Sequence, residues 1–206
     1  MSTSVVFAFD FDGVIADSAK AYARAINAVA TPLGATRQMT TGLLAEMPEY
    51  RHQHSADVVG LPTNCQEVFS EGLRDYFHQP QSVSLHDAMG PVLSALKDHG
   101  EVVLVSANDE AVIRLALSEL QVRADCVYGG RGKAAKADVL GELAERSRVI
   151  MVGDTLSDCG AAEQAGVDAI AVSWGWQSAT LLLQAGVPVV HTPADLQAAL
   201  MQWLQV

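Results

Sequence analysis

Asp10 and Asp12 stand one residue apart at the end of the apolar run VVFAF, with Gly13 directly behind them. Acidic residues are poor strand and core residues. Two of them closing a buried-looking strand therefore point to chemistry at its tip. A second apolar run, RVIMVGDTLSD, ends in Asp154 and Asp158, whose spacing puts both on one side of a helical turn. A third, EVVLV, leads into Ser106, Ala107 and Asn108, and Lys133 and Lys136 precede the helical pattern KADVLGELAER. Four carboxylates brought into one crevice repel each other or take up protons unless a counter-ion joins them. An oxygen-ligand set that must stay ionised suits Mg²⁺. An aspartate in a strand-end turn is ordinary; all four elements in order, each at a strand's carboxyl end, is harder to reach by chance.

The elements that must position these groups can be read from the pattern. Residues 4–10, 101–106, 148–154, 168–174 and 188–191, with 124–130 as a weaker candidate, are apolar through the middle, as strands covered on both faces are. Helical patterns at 109–120 and 136–146, from Ser157 to Gly166, and from Thr192 onward alternate with them. Alternating strand and helix predicts an α/β fold with a parallel sheet and right-handed crossovers, and ligands in such sheets bind at the strands' carboxyl ends. Residues 17–85 break the rhythm. They carry helical stripes (Ala21, Ala25, Ala28; Val68, Leu73, Phe77) and no convincing strand, and are read as a helical insertion. The segment GGRGK lacks the hydroxyl residue and glycine spacing of a P-loop and reads as a connecting loop.

Bulk properties narrow the function. The 206 residues are 50% hydrophobic and carry a net charge of −11. That suffices for one substantial core and argues against nucleic-acid or anionic-membrane partners, which need clustered Lys and Arg. No run approaches the ~18 apolar residues of a membrane span. The N-terminus has no basic region before a long apolar stretch, so no signal peptide is expected. Cys65, Cys126 and Cys159, odd in number and without CxxC spacing, read as three core thiols of a cytoplasmic protein.

DFDGVIAD, Ser106 at a strand end, a lysine near 136, and GDTLSD at 153–158 together resemble the four motifs of the haloacid dehalogenase-like hydrolases. The resemblance extends along nearly the whole chain, and its tail is similar to phosphoglycolate-phosphatase-like members with a helical cap. It implies a Rossmann-like three-layer core of residues 1–16 and 86–206 with a small cap of residues 17–85. It implies Asp10 as nucleophile, Asp12 as general acid and base, and Ser106 and a lysine as contacts to the phosphoryl group. Lys136, in phase with Leu140, fits the motif better; Lys133 is the alternative. Asp10, Asp12 through its backbone carbonyl, Asp154 and Asp158 would hold Mg²⁺. Gly13 would admit the phosphate to the backbone, and Ala107 and Asn108 would flank it.

The implied activity is a Mg²⁺-dependent phosphomonoesterase acting through an aspartyl-phosphate on a small phosphorylated metabolite such as phosphoglycolate. A mutase of the β-phosphoglucomutase kind and a non-catalytic relative are the alternatives; Asp12 argues against a dehalogenase. In the insertion, Arg51 of EYRHQH could reach over the site and grip a carboxylate, or could simply face solvent. His52, His54 and His78 lie in the same insertion and are weak evidence for a metal. Trp174 and Trp176 in SWGW follow a strand, where at least one is expected to pack at the sheet's end. Oligomeric state is not legible.

Overall fold

The computed structural model describes residues 4–77, 84–119, 121–130 and 132–205, the side chains of residues 132–135 excepted. Six parallel strands form the main sheet: β1 (Ser4–Phe9), β4 (Glu101–Val105), β5 (Cys126–Tyr128), β6 (Ser147–Gly153), β7 (Asp168–Val172) and β8 (Val189–Val190), in the spatial order β5-β4-β1-β6-β7-β8. Alternation along each strand divides the core. Phe7, Phe9, Val102, Leu104, Ile150 and Val152 face α5 (Met89–Leu96), α6 (Glu110–Glu119) and α10 (Pro193–Trp203). Val6, Ala8, Val103, Val105, Val149 and Met151 face α7 (Gly132–Ala144) and α8 (Leu156–Ala165). Both faces are covered, which is why the central strands read as unbroken apolar runs.

Two features differ from expectation. The insertion is closed by a two-residue antiparallel pair, β2 (Ala16–Asp17) with β3 (Ser84–Leu85), too short to leave an alternation in the sequence. The helix expected at 136–146 begins at Gly132, so Lys136 sits in its second turn, not at its start. The helix expected at 109–120 spans Glu110–Glu119, and Leu120 lies outside the described residues.

Between β2 and β3 the chain forms α1 (Ala19–Ala30), α2 (Thr41–Ala45), α3 (His52–Val58) and α4 (Gln66–Phe77). Ile26, Leu44, Ala56, Phe69 and Leu73 make a second core there. A short helix, α9 (Ala179–Leu182), follows β7. Among the described residues no helix is long and apolar enough to cross a membrane. The three cysteines are free; only Cys159 is buried, whereas Cys65 and Cys126 are half-buried, so the expectation of three core thiols holds for one.

Candidate active site

The sheet's register brings the acids together. Phe9 lies beside Leu104 of β4 and Val152 of β6, so the residues just past them meet at one edge. Asp10 is tied there by its backbone N–H to the Val152 carbonyl at 2.9 Å. Phe11 returns to the α5/α6/α10 core. Between two core phenylalanines, Asp10 is turned to the opposite face, where α7 and α8 lie. Lys136 stands one turn before Leu140 on the buried stripe of α7. Its ammonium reaches Asp10 Oδ2 at 3.1 Å and Asp158 Oδ1 at 2.5 Å. Lys133 is the other lysine expected here; its side chain lies outside the described residues.

Asp158 caps its own helix. Thr155 and Asp158 form a reciprocal capping box at the start of α8, with Asp158 Oδ2 accepting from the Thr155 hydroxyl at 2.7 Å and backbone N–H at 3.1 Å. One oxygen is thus committed to the fold and the other to Lys136. Asp154 Oδ2 accepts from the Trp176 N–H at 2.6 Å, and its Oδ1 is buried without a partner. One oxygen from each of Asp10, Asp154 and Asp158 lies within 4.8 Å of the other two. Three buried carboxylates against one lysine leave excess negative charge, and an orphaned oxygen faces that excess. The donor set is hard and all-oxygen. These residues fit a divalent cation such as Mg²⁺.

Electrostatics agree. Burial, opposed by Lys136 and reinforced by Asp158 and Asp12, pushes the Asp10 carboxyl up to about 7. Burial, with Asp158 and Asp10, holds Asp154 well above the ordinary carboxylate range. Burial also disfavours the Lys136 ammonium, but Asp10 and Asp158 outweigh it and the lysine stays charged. The Asp12 carboxylate stands apart from the acid cluster. It accepts from Asn108 Nδ2 at 3.0 Å, and burial raises its pKa against the hydrogen bonds of Ser18 and Asn108.

The packing around Gly13 requires a glycine there. At φ +80° it occupies the left-handed region, and a Cβ there would fall 2.0 Å from Asp154 Oδ2 and 2.7 Å from Trp176. The Asp154 carboxylate approaches its backbone closely. Ser106, Ala107 and Asn108 line the cavity above the acids, together with Asp10, Asp12 and Lys136. Arg51 does not join them. It is the residue before α3, its side chain is 74% exposed, and its guanidinium pairs with Glu49 at 2.8 Å. Its neighbours Tyr50 and His52 line the cavity instead; burial, with the Arg74 charge, lowers the His52 pKa.

In the segment after β7 the two tryptophans part, and Gln177 takes a role that was not expected. Trp174 does pack at the sheet's end and donates to the Val14 carbonyl at 3.2 Å. Trp176 instead lines the cavity and donates from its indole to Ser18 Oγ at 3.1 Å. Gln177, 1% exposed, accepts from Leu156 N–H at 2.6 Å and donates to the Met47 carbonyl at 2.7 Å. It joins the start of α8 to the insertion. A glutamine after SWGW carries no local signal of this role.

Comparison with known proteins agrees with the geometry. The family model of the haloacid dehalogenase-like hydrolases matches residues 7–172, and the chain belongs to that family. Tyrosine-protein kinase PtkA of Mycobacterium tuberculosis is 25% identical over 204 residues, covering 91% of this chain and 68% of that protein. Among solved structures, a haloacid dehalogenase-like family protein from Streptococcus pneumoniae superposes with a TM-score of 0.82 at 20% identity, over 97% of this chain and 100% of that one. A predicted phosphatase from Clostridium acetobutylicum gives 0.81 at 21%, over 97% and 99%.

Proposed function

We propose that this chain is a Mg²⁺-dependent phosphomonoesterase that hydrolyses a small phosphate ester through an aspartyl-phosphate. The observation that carries the reading is the separation of two neighbouring carboxylates into different environments at one cavity floor. Asp10 is clamped by Lys136 beside the acid cluster, and Asp12 is held away from it by Asn108. Such a pair can divide nucleophilic and proton-transfer work.

In this reading Asp10 attacks phosphorus while the ester P–O bond breaks. Asp12, its pKa raised, hands its proton to the departing alkoxide. The same carboxylate then takes a proton from water, whose oxygen attacks the aspartyl-phosphate and frees Asp10 and inorganic phosphate. Lys136 neutralises charge on the transferring group, and Ser106 offers its hydroxyl to a phosphoryl oxygen. Asp10, Asp154, Asp158 and the Asp12 carbonyl would hold Mg²⁺, which supplies charge stabilisation of the phosphoryl oxygens.

One observation favours a second reading, transfer to an acceptor hydroxyl in place of water: the 25% identity to a relative named as a tyrosine-protein kinase. The test is phosphate release from a panel of phosphate esters, phosphoglycolate and sugar phosphates included, with Mg²⁺ and then with EDTA. Metal-dependent release supports the phosphatase. Transfer to an added alcohol without release supports the second reading. Asp10→Asn should lower turnover by about a thousandfold or more with the fold intact by circular dichroism; substantial residual activity would sink the covalent mechanism.

A further inference from the structure

The wall facing the acids is unusually aromatic for a site expected to take a small carboxylate. Tyr22, Tyr50 and Phe77 of the insertion and Trp176 of the core all line one cavity of about 390 Å³ with the catalytic acids. Their rings are mutually ordered. Tyr22 and Trp176 lie 4.5 Å apart at 32°, Tyr50 meets Trp176 edge-on at 4.9 Å and 87°, and Phe77 stacks on Tyr22 at 5.6 Å and 11°. Tyr50, Phe77 and Trp176 are only partly buried, so ring surface remains for a ligand. Val112 and Leu115 of α6 also line this cavity, and Leu115 is 50% exposed.

The charges on this wall disfavour an anionic leaving group. Among the described lining residues the one lysine or arginine is Lys136, already held by Asp10 and Asp158. Glu119 lines the same cavity, and Arg51 is paired with Glu49 instead. A carboxylate placed here would meet acids, rings and the His52 imidazole, whose charged form burial and the Arg74 charge disfavour. A flat uncharged group would meet aromatic edges and faces in the geometries such pairs prefer, in a cavity of the size that small-molecule sites have.

Resting on the phosphatase reading above, we infer that the leaving group is an uncharged, planar aromatic alcohol. Its ring would sit among Tyr22, Tyr50, Phe77 and Trp176 while the phosphoryl group lies on Asp10. The acids choose the phosphate and the aromatic wall chooses the ester.

The test compares benzyl phosphate, ethyl phosphate and phosphoglycolate with Mg²⁺. All three release primary alkoxides, so the ring and the charge are the main differences. Burying a phenyl ring should raise kcat/KM for benzyl over ethyl phosphate by roughly 10- to 100-fold, with phosphoglycolate below benzyl phosphate. Phe77→Ala and, from α6, Leu115→Ser should each narrow the benzyl-to-ethyl ratio severalfold. Equal values for benzyl and ethyl phosphate, or phosphoglycolate ahead of both, would overturn the inference and leave the phosphatase reading standing. No turnover of any ester would defeat the phosphatase reading. Calorimetric binding of benzylphosphonate against ethylphosphonate then decides the ring site alone: tighter benzyl binding supports it and equal binding overturns it.

Discussion

Asp154 is where the site's electrostatic strain concentrates. One oxygen is satisfied by Trp176 and the other by nothing among the described residues, and burial and neighbouring acids oppose its charge. A carboxyl held above its ordinary value binds its proton more tightly folded than unfolded, so its ionisation at neutral pH weakens the fold. Asp154→Asn keeps an oxygen for Trp176 and removes the repelled charge. In EDTA the variant should melt a few degrees above the wild type. Saturating Mg²⁺, at about 100 times its Kd, should stabilise the wild type by about 2.7 kcal/mol, or roughly 5–10 °C, and the variant much less. A wild-type melting temperature indifferent to Mg²⁺ would contradict the cation site. Cys159 offers an independent check on burial: its thiol is pushed up to about 12 by burial and by Asp158. A thiol reagent at pH 8 should modify Cys65 and Cys126 quickly and Cys159 only on unfolding. Three thiols reacting at one rate would contradict the packing of α8.

At the scale of elements, the helix that presents Asp158 is held by its own capping box. Thr155→Ala should cost about 1 kcal/mol of stability and should also lower turnover, because the Asp158 carboxylate it loosens at one oxygen holds Lys136 through the other. An unchanged turnover with the expected stability loss would show the cap to be purely structural. Gln177 is the matching device between elements, joining the start of α8 to Met47 in the insertion. Gln177→Ala leaves Leu156 N–H and the Met47 carbonyl unpaired and should loosen the insertion over the acids. The expected signature is a higher KM with faster hydrogen exchange at residues 44–50, and neither change would mean that Gln177 holds nothing. The strands and α8 were legible because their patterns are strong and their termini marked. α5 was not among the expected helices: near its start it carries Gly90 and Pro91, residues that usually break a helix, yet Pro91 falls in the first helical turn, where a missing N–H costs nothing.

Among the described residues, apolar side chains are buried on each face of the sheet and, separately, among the helices of the insertion. Phe69 is wholly buried in the insertion. Phe69→Ala should cost about 3–5 kcal/mol. Its hydrogen-exchange signature should concentrate in α1–α4 while β1, β4 and β6 stay protected, whereas uniform loss of protection would mean that the sheet and the insertion unfold as one.

The candidate acids were visible in the sequence because they lie at or just beyond the ends of apolar strands, and a parallel sheet delivers strand ends to one edge whatever else the chain does. Asp10, Asp12, Ser106 and Asp154 follow from that rule, Asp158 from the helical turn beyond it, and Lys136 was preferred to Lys133 through the family resemblance together with its phase to Leu140. Tertiary packing decided the rest. Arg51 and Tyr50 are adjacent in the chain, yet the ring lines the cavity and the guanidinium turns to Glu49 in solvent. Gly13 yields to Asp154, 141 positions away, and Trp176 meets Tyr22 across the cavity. Periodicity records which face of an element is buried and carries no record of which distant element buries it. The acids, set by strand ends, could therefore be read in advance; the wall opposite them, set by how an insertion packs against a distant loop, could not.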